Sequence, residues 1–546
     1  FKQKTAYEIP KRDWSSDVCS SDLDINTFTR RSNTNYMETG VLSSLQLTAM
    51  FPAMVLENFY IKTRNSIEEG KHKAPYGFVV PVQRDMTKVA EFINILRIQR
   101  IEVGQATAAF KIGTTTYPAG SYVIKRDQPY GRLAKNLLEK QTFPDSRLTT
   151  YDDSGWTMGL AMSVDVKEIN DTAILTTATK AVTTAVAKGT VNTSERGCPL
   201  DGTRSIATLS TGSNNLITLR YRLKDITMKV VEKGFKASTG VDVPTGSLVT
   251  AGLTPDQMKA TTAAIEELGL TATLHCGGAI DVPQHLADVP RIAIYSNWNN
   301  TQDVGWYRLT FDNFKIPFEL IYKERVKRGD LKKDYDVVIM AAQTINRTTV
   351  MAAKAATPVP YQKSDKYQFL GMYGETDDMS GGFGQEGVDA FARFLEDGGT
   401  LIAAGPAVRF PIDFGWAHTV DTETVTGLSS QRPLVQAEIT KADSPIFYGY
   451  EGKTLAVKYI ANAPILRVGV ADEKNVLGRY VGGDSAVLSG NMVGADLIRQ
   501  RPLAVDIPRA LNGKGRVILF ANNPVYRWQN HGEFNMMFNA IMNWND

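Results

Sequence analysis

Five histidines are the first side chains to consider, because zinc peptidases and many hydrolases use imidazole as a metal ligand or as a base. They are His72, His275, His285, His418 and His531. None lies in a His-x-x-Glu or His-Glu-x-x-His motif, the spacings that bring zinc ligands and a catalytic carboxylate together. His275 is followed by Cys276, but an isolated pair of this kind is typical of a structural contact. The sequence therefore predicts no metal site and no catalytic or cofactor-binding residue in this chain.

Nucleophile and carboxylate motifs are also weak. A Gly-x-Ser-x-Gly elbow does not occur. The run Thr211-Gly-Ser213 follows a predicted strand, but the matching position in a similar upstream segment is Arg84, which disfavours a nucleophile there. Asp152 and Asp153 could form a metal-binding or catalytic pair, although adjacent carboxylates in a Gly-containing loop are typical of a solvated turn. The Gly-Gly-Phe-Gly run from Gly381 resembles a phosphate-binding loop, but no strand directly precedes it, which disfavours a dinucleotide site.

The best-defined structural unit spans residues 381–405. Apolar residues recur at helical spacing from Val388 to Leu395, and Gly398 and Gly399 end the helix. Residues 400–404 then form a short apolar run, as expected for a buried parallel strand. This order resembles the class I glutamine amidotransferase fold, whose enzymes carry a nucleophilic cysteine in the sharp turn after such a strand. Here the turn at residues 405–408 reads Gly-Pro-Ala-Val, so we expect the architecture without its usual chemistry.

Composition excludes several classes of partner. The chain has 546 residues, 43% of them hydrophobic, which is enough for roughly three or four domains. Its 61 basic and 58 acidic residues are interspersed and give a net charge of +3, so no segment indicates nucleic-acid binding. No run of about 18 apolar residues occurs, and we therefore predict no membrane span.

The first 23 residues match translated sequencing-adapter DNA in two runs, residues 2–9 and 12–23, that share one reading frame. We exclude them from fold reasoning and expect the native N-terminus to be missing. Setting Cys19 aside leaves Cys198 and Cys276, which could form one bridge or remain two free thiols.

Two similar α/β modules are predicted at residues 74–168 and 204–289. Each has a strand, a helix and a second strand, followed by a Pro-x-Gly-Ser motif. In the first module these are predicted at 77–82, 86–99 and 101–105, with the motif at Pro118. In the second they are predicted at 206–209, 216–223 and 228–231, with the motif at Pro244. We interpret this as an internal duplication; the alternative is two unrelated units that share a turn. Residues 24–73 are predicted to be helical, with a break near Pro52, and residues 169–203 to be a linker or an extended segment. Further helices are expected at 128–140 and 255–268.

The third domain, residues 290–546, alternates strands at 291–295, 318–322, 335–343, 400–404 and 515–521 with helices at 306–314 and 533–544. This alternation predicts a doubly wound, flavodoxin- or amidotransferase-like parallel sheet, and residues 424–512 are predicted to be a β-rich insertion. The fold class is therefore α/β: duplicated small modules followed by a parallel-sheet domain.

Ligands of open α/β sheets bind outside the carboxyl ends of the strands. The candidate ligand-binding residues at those ends are Trp298, Gln343, Asn523, Arg527 and His531. The alternative is that these side chains pack the crevice or cap the terminal helix.

Several motifs, taken together, resemble bacterial members of the zinc carboxypeptidase family that carry a C-terminal amidotransferase-like domain. They lie at residues 76–81, 117–123, 127–130, 151–156, 513–520 and 531–540. The resemblance implies an upstream metallocarboxypeptidase domain that binds zinc, export to the periplasm or beyond, and a peptide or protein substrate. The family's zinc ligands and catalytic Glu have no counterpart here, so residues 24–73 would be the tail of a truncated peptidase domain.

Three functions follow as hypotheses. The first is a non-catalytic accessory region that acts as a scaffold or binds substrate, with zinc only in the missing domain. The second is a hydrolase or transferase that acts at the crevice of the third domain. The third is a peptide- or glycan-binding module that uses Trp298, Trp306 and Trp528.

Overall fold

The computed structural model describes residues 29–148, 150–192, 204–276, 280–371 and 374–546. The adapter-like residues 1–23 and Cys198 lie outside these ranges. Cys276 is disulfide-bonded, which answers the question left open for this thiol.

The chain begins with two long helices, α1 (Arg30–Met50) and α2 (Pro52–His72), which meet at an angle of 91°. Pro52 occupies the first turn of α2, where its missing N–H costs nothing, and so the break falls where the sequence predicts it. Within the described residues no single helix is long and apolar enough to cross a membrane, although α1 and α2 together satisfy the length and composition criteria.

Only the last turns of α2 are packed against the rest of the protein. Arg126 and Arg132 form ion pairs with the two carboxylate oxygens of Glu69, at 3.1 and 2.8 Å. Ser66 is buried, and its hydroxyl lies between the Gln128 carbonyl and the Arg132 amide. In contrast, α1 has no buried residue. The helix pair is thus anchored at one end and projects from the first module.

The first module contains one five-stranded antiparallel sheet in the order β6-β1-β5-β2-β7. Its elements are β1 (Gly77–Val80), α3 (Met86–Ile98), β2 (Gly104–Gln105), β3 (Phe110–Ile112), β4 (Thr115–Tyr117), β5 (Tyr122–Lys125), α4 (Gly131–Leu138), α5 (Met158–Met162), β6 (Lys167–Ile169), α6 (Ala173–Thr176) and β7 (Lys180–Ala181). The helix predicted at 128–140 is α4, which is shorter at both ends.

The second module has a six-stranded sheet in the order β15-β10-β13-β9-β14-β8. Its elements are β8 (Thr190–Asn192), β9 (Ser205–Thr208), α7 (Asn215–Arg222), β10 (Lys229–Val231), β11 (Phe235–Lys236), β12 (Asp242–Val243), β13 (Leu248–Ala251), α8 (Pro255–Glu267), β14 (Thr271–His275) and β15 (Gln284–Leu286). Thr254 and Gln257 form a capping box at the start of α8, as the sequence indicates.

The two modules share element order and sheet order. In each, the chain runs strand, helix, second strand, small hairpin and third strand. The third strand lies between the first two in the sheet, which gives the sheet orders β1-β5-β2 and β9-β13-β10. The Pro-x-Gly-Ser turns also match: Gly120 and Gly246 have φ of +89° and +83°, and Ser121 and Ser247 each donate to the carbonyl three residues earlier. These are the features that an internal duplication predicts. The segment predicted to be a linker or extended contains two short strands, β7, which pairs in the first sheet, and β8, which pairs in the second.

The third domain is built on a ten-stranded sheet. Its elements are β16 (Ile292–Tyr295), α9 (Gln302–Asn313), β17 (Glu319–Ile321), α10 (Lys323–Lys327), α11 (Leu331–Asp334), β18 (Val337–Met340), α12 (Arg347–Val350), α13 (Gly384–Glu396), β19 (Thr400–Ala404), α14 (Arg409–Asp413), β20 (Val420–Glu423), β21 (Ser429–Ser430), β22 (Leu434–Ile439), β23 (Thr454–Lys458), β24 (Ile465–Val468), β25 (Val476–Tyr480), β26 (Val487–Ser489), β27 (Met492–Val493), β28 (Pro502–Pro508), β29 (Arg516–Phe520) and α15 (Phe534–Met542).

One half of this sheet is parallel, in the order β17-β16-β18-β19-β29, which confirms the predicted α/β class. The β-rich region supplies the other half, because β28 pairs antiparallel with β29 along five residues and β25, β22 and β23 follow. Pairing with β28 satisfies the backbone groups on the second edge of β29. The β-rich region, which is inserted in sequence between β19 and β29, therefore continues the sheet beyond β29.

Gly70 and Gly40 provide a matched test of how α2 is anchored. A Cβ at Gly70 would lie 2.0 Å from the Arg126 carbonyl oxygen, whereas one at Gly40 would meet nothing within 4 Å. We expect Gly70→Ala to lower the free energy of unfolding by about 1–3 kcal/mol. Gly40→Ala should leave it unchanged or raise it by up to about 1 kcal/mol, because alanine favours the helix. Chemical denaturation of both variants measures this, and equal effects would contradict the described packing.

Candidate functional site

The turn after β19 is packed inside the domain. Gly405 has φ of +54° and begins a short 3-10 helix, Gly405–Val408, in which Ala407 and Val408 are fully buried. A Cβ on Gly405 would lie 2.9 Å from Ile460 and 3.1 Å from Ala342. The turn thus has the shape expected from the sequence, but Ile460 from the β-rich half covers the place where a nucleophile would project.

Trp298 and Gln343 lie together at the carboxyl ends of β16 and β18. Gln343 is fully buried, donates to the Asn300 carbonyl at 2.6 Å and accepts from the Asn297 amide at 3.3 Å. It therefore fixes the loop after β16. Trp298 is half-buried, stacks on Tyr322 at 3.8 Å and lines a cavity of about 420 Å³. Other residues lining this cavity are Asn297, Lys323, Thr344, Ser380 and Gly381.

Asn523 and His531 do not line this cavity, and each contacts another part of the fold. Asn523 is buried; its side-chain oxygen accepts from Tyr307, and its amide donates to Asp303 at 3.2 Å. His531 is also buried, and its Nδ1 lies 3.0 Å from Glu91 Oε2 on α3. These two residues join elements of the fold, as the packing alternative expects, and the structure does not bring all five predicted residues to this one cavity.

Arg527 also does not line this cavity, and it binds the loop that carries the two adjacent aspartates. Its guanidinium donates to Asp152 at 2.5 Å, and Arg527 and Trp528 both have left-handed backbone conformations, with φ of 48° and 54°. Asp153 is nearly buried, accepts from the Tyr526 hydroxyl at 2.8 Å and pairs with Lys458 at 3.1 Å. The expectation of a solvated pair is therefore wrong for Asp153, because the loop is inserted against the third domain.

Sequence reasoning did not identify the most unusual cluster of the fold, which is centred on Lys458 and Glu533. Both side chains are fully buried. The Lys458 ammonium donates to the Gly155 carbonyl at 2.7 Å, and the Lys458 backbone N–H donates to Glu533 at 2.8 Å. Glu533 also accepts from the side-chain amides of Asn522 and Asn530. One residue of β23 thus connects the loop of the first module to the start of α15.

Burial sets the protonation of this cluster. It lowers the pKa of Lys458 and raises the pKa of Glu533 to about 8. The three N–H groups that donate to Glu533 favour its ionised form, but the effect of burial is larger. The amide oxygens of Asn522 and Asn530 are buried without a partner, so rotation of either amide would present an oxygen to a protonated Glu533. Shifted ionisable groups often mark functional sites, yet these two are sealed from solvent and act here as a structural connection.

A metal site is not evident in the described part of the chain. Among the described ranges, no group of three or more His, Cys, Asp or Glu side chains converges in a way that could hold a metal ion. His275 contacts the ring of Phe235 and accepts from the Ser238 amide at 3.2 Å. The zinc expected for an upstream domain stays a prediction.

Comparison with known proteins finds no matching family model and no matching curated protein. A ThuA-like protein from Bacteroides uniformis is 13% identical with a TM-score of 0.28, and the match covers 48% of this chain and 96% of that one. PurLQS from Thermotoga maritima is 16% identical with a TM-score of 0.29, over 47% of this chain and 99% of that one. A catalytic mutant of a GH42 β-galactosidase from G. stearothermophilus is 11% identical with a TM-score of 0.24, over 48% and 30%. Similarity at this level assigns no activity to the chain.

The Glu533 carboxyl predicts a specific dependence of stability on pH. Its pKa of about 8 in the folded chain exceeds the ordinary 4.5, so stability present below pH about 4.5 is lost as pH rises to about 8. Glu533→Gln should remove this loss. The free energy of unfolding of Glu533→Gln minus that of wild type should therefore increase between pH about 4.5 and about 8, by at most about 1.4 kcal/mol per pH unit.

Denaturation at several pH values, with exposed Glu396→Gln on α13 as the control, measures the effect. A difference between Glu533→Gln and wild type that does not change with pH would contradict the assignment.

Proposed function

We propose that this chain is the non-catalytic accessory region of a secreted zinc carboxypeptidase-like protein, and that α1 and α2 pack against that protein's catalytic domain. The region would hold the catalytic domain in place or present substrate to it. The family resemblance of the sequence motifs supports this proposal, and the surface of α1 and α2 is the observation that carries it.

That surface, which we name the apolar hairpin face, is the largest run of exposed apolar side chains among the described residues. Its members are between 41% and 68% exposed: Tyr36, Met37, Val41, Leu42, Leu45, Leu47, Met50, Phe51, Met54, Val55, Leu56, Phe59 and Tyr60. Apolar surface of this extent usually marks an interaction site. Because the end of α2 is held by Glu69 and Ser66, the face has a defined position relative to the first module. A domain of the same polypeptide is an occupant that would need such a fixed orientation.

Side-chain contacts at the strand ends of the third domain also support a structural role. The turn that would carry a nucleophile is covered by Ile460, and Gln343, Asn523, Arg527 and His531 make contacts within the protein. The polar groups at the strand ends therefore stabilise loops and module contacts.

Binding of a peptide or glycan is the second candidate, and Trp298 favours it. Its half-buried indole stacks on Tyr322 beside amide and hydroxyl groups, and aromatic rings next to polar groups suit a polar ligand with an apolar face. Trp306 and Trp528 are also half-buried, and Trp528 packs on His531 and Phe534, so these three indoles do not form one surface. Trp298→Ala should abolish any such binding, as measured by calorimetry with peptides and oligosaccharides.

Recovery of the upstream genomic sequence is the direct test of the parent assignment. We expect an in-frame domain with a His-x-x-Glu motif before Asp24, and its absence would refute the assignment. Purified residues 24–546 should release no C-terminal amino acids from peptides, and chelator-sensitive release would overturn the non-catalytic interpretation.

The apolar hairpin face also predicts how the chain behaves alone. We expect concentration-dependent self-association in sedimentation velocity, reduced in Leu45→Glu/Phe59→Glu because charges replace exposed apolar groups. Val470→Glu is the matched control, since Val470 is 97% exposed but distant in sequence from the face. Association unaffected by Leu45→Glu/Phe59→Glu, or vesicle binding that requires these residues, would contradict a protein-docking role.

A further inference from the structure

The cavity of about 420 Å³ beside Trp298, which we name the Trp298 cavity, lies where the connections of the parallel sheet diverge. β16 pairs with β17 on one side and with β18 on the other. The connection after β16 runs through α9 to β17, whereas the connection after β18 runs through α12 and α13 to β19 on the opposite side. Residues 295–300 and Thr344, from the loops after β16 and β18, line the cavity. This is the crevice in which open α/β sheets bind ligands.

The indole of Trp298 is held in one orientation. Its Nε1–H donates to the Glu324 carboxylate at 3.0 Å, and Tyr322 stacks on one face of the ring. The same carboxylate accepts from the Thr376 hydroxyl at 2.7 Å. Because the polar group of the indole is already bonded within the protein, Trp298 offers a ligand only an apolar ring surface.

A long irregular connection forms the opposite wall of the cavity. Residues 351–371 and 374–383 contain no helix or strand apart from one isolated bridge. They contribute Ala352, Met379 and Ser380 to the lining. Long connections without regular structure in a compact domain are commonly binding loops.

The polar side chains that can reach a ligand are neutral amides and a hydroxyl. Asn299 and Thr344 are exposed, and their side chains have no hydrogen-bond partner among the described residues. Asn297 is half-buried and uses only its side-chain oxygen, which accepts from the Tyr295 hydroxyl at 3.1 Å. Carboxamides and hydroxyls both donate and accept, and so they complement ligand hydroxyls, which do the same.

Charge at the cavity disfavours an ionic ligand. Within the described residues, Lys323 is the one charged side chain that lines it. Lys323 is 6% exposed, and its ammonium already donates to the Ser380 carbonyl. Phosphates and carboxylates bind most strongly to cationic donors, and here the one cation is occupied. The lining therefore suits a neutral ligand that has hydroxyl groups and an apolar face.

We propose that the Trp298 cavity binds a neutral sugar. The C–H face of one pyranose ring packs on the Trp298 indole, and the ring hydroxyls bond to Asn297, Asn299 and Thr344. A volume of about 420 Å³ lies within the range of small-molecule sites, roughly 300–1,000 Å³. The inference rests on the second candidate function, ligand binding beside Trp298, and assigns the ligand to one chemical class.

The test uses the full chain in calorimetry. The sugars are the methyl glycosides of glucose, galactose, mannose and N-acetylglucosamine, together with maltose, cellobiose and lactose. Blocked trialanine and adenosine represent peptides and stacking bases. We expect at least one sugar to bind with a millimolar or lower Kd, and saturation-transfer NMR to show the largest transfer at C–H protons on one face of its ring. Binding of blocked trialanine or adenosine without any sugar would overturn the sugar assignment and leave ligand binding at Trp298 standing. No binding of any compound would overturn both.

Two variants place the sugar in the cavity. Thr344→Val removes a hydroxyl with little change of shape, and Asn299→Ala removes a carboxamide. Each should weaken sugar binding at least about threefold, the effect of one lost hydrogen bond. Both should keep the wild-type Tm, because these side chains bond to no other described residue. Asn297 is left intact, since its loss would leave the Tyr295 hydroxyl without its acceptor.

Thr348→Val is the matched control, because Thr348 is exposed on α12 and does not line the cavity. It should bind the sugar as wild type does. Unchanged affinity in both Thr344→Val and Asn299→Ala, or an equal loss in Thr348→Val, would refute the site.

Discussion

The ion pair between Lys458 and Asp153 holds the parts of this protein together. Removing two charges from water costs several kcal/mol for each ion, and the attraction between them offsets this only when further hydrogen bonds complete both groups. Here the Gly155 carbonyl and the Tyr526 hydroxyl supply those bonds. The same loop is sealed against the third domain on its other side, where Ser154 accepts from the Asn491 amide at 2.8 Å. The first module and the ten-stranded sheet are therefore joined by a polar connection that has few alternative arrangements.

This constraint bears directly on function. Side chains that a sequence argument places at the mouth of an α/β crevice are used instead as connections: Arg527 to the loop of the first module, His531 to α3 and Asn523 to α9. Exposed apolar side chains lie on α1 and α2, and the Trp298 cavity lies at the carboxyl ends of β16 and β18. The proposed accessory role rests on these two surfaces.

Local patterns in the sequence predict much of the fold. The apolar spacing of α13, the pair Gly398 and Gly399 and the apolar run of β19 place a helix and a buried strand within a residue or two of their bounds. The Pro-x-Gly-Ser turns identify two modules of the same topology, because glycine is needed where φ is positive. These signals succeed because they act over a few residues.

The features that sequence reasoning missed depend on contacts between distant segments. The pairing of β28 with β29 could not be inferred from the sequence of either strand. Because of this pairing, the β-rich region extends the sheet. Lys458 is the last residue of β23, a position where lysine is usually exposed, and Glu533 lies at the start of α15, where carboxylates are common. The inserted loop at Asp153 is what buries Lys458 beside it.

A double-mutant cycle on Asp153 and Lys458 tests the central claim most directly. Asp153→Asn and Lys458→Met each leave one uncompensated buried group, and each should lower the free energy of unfolding by about 3–5 kcal/mol. The double variant should lose clearly less than the sum, with a coupling free energy of at least about 1.5 kcal/mol. Losses that add within about 0.5 kcal/mol would show that the two residues act independently, and the account of how the modules are joined would then be wrong.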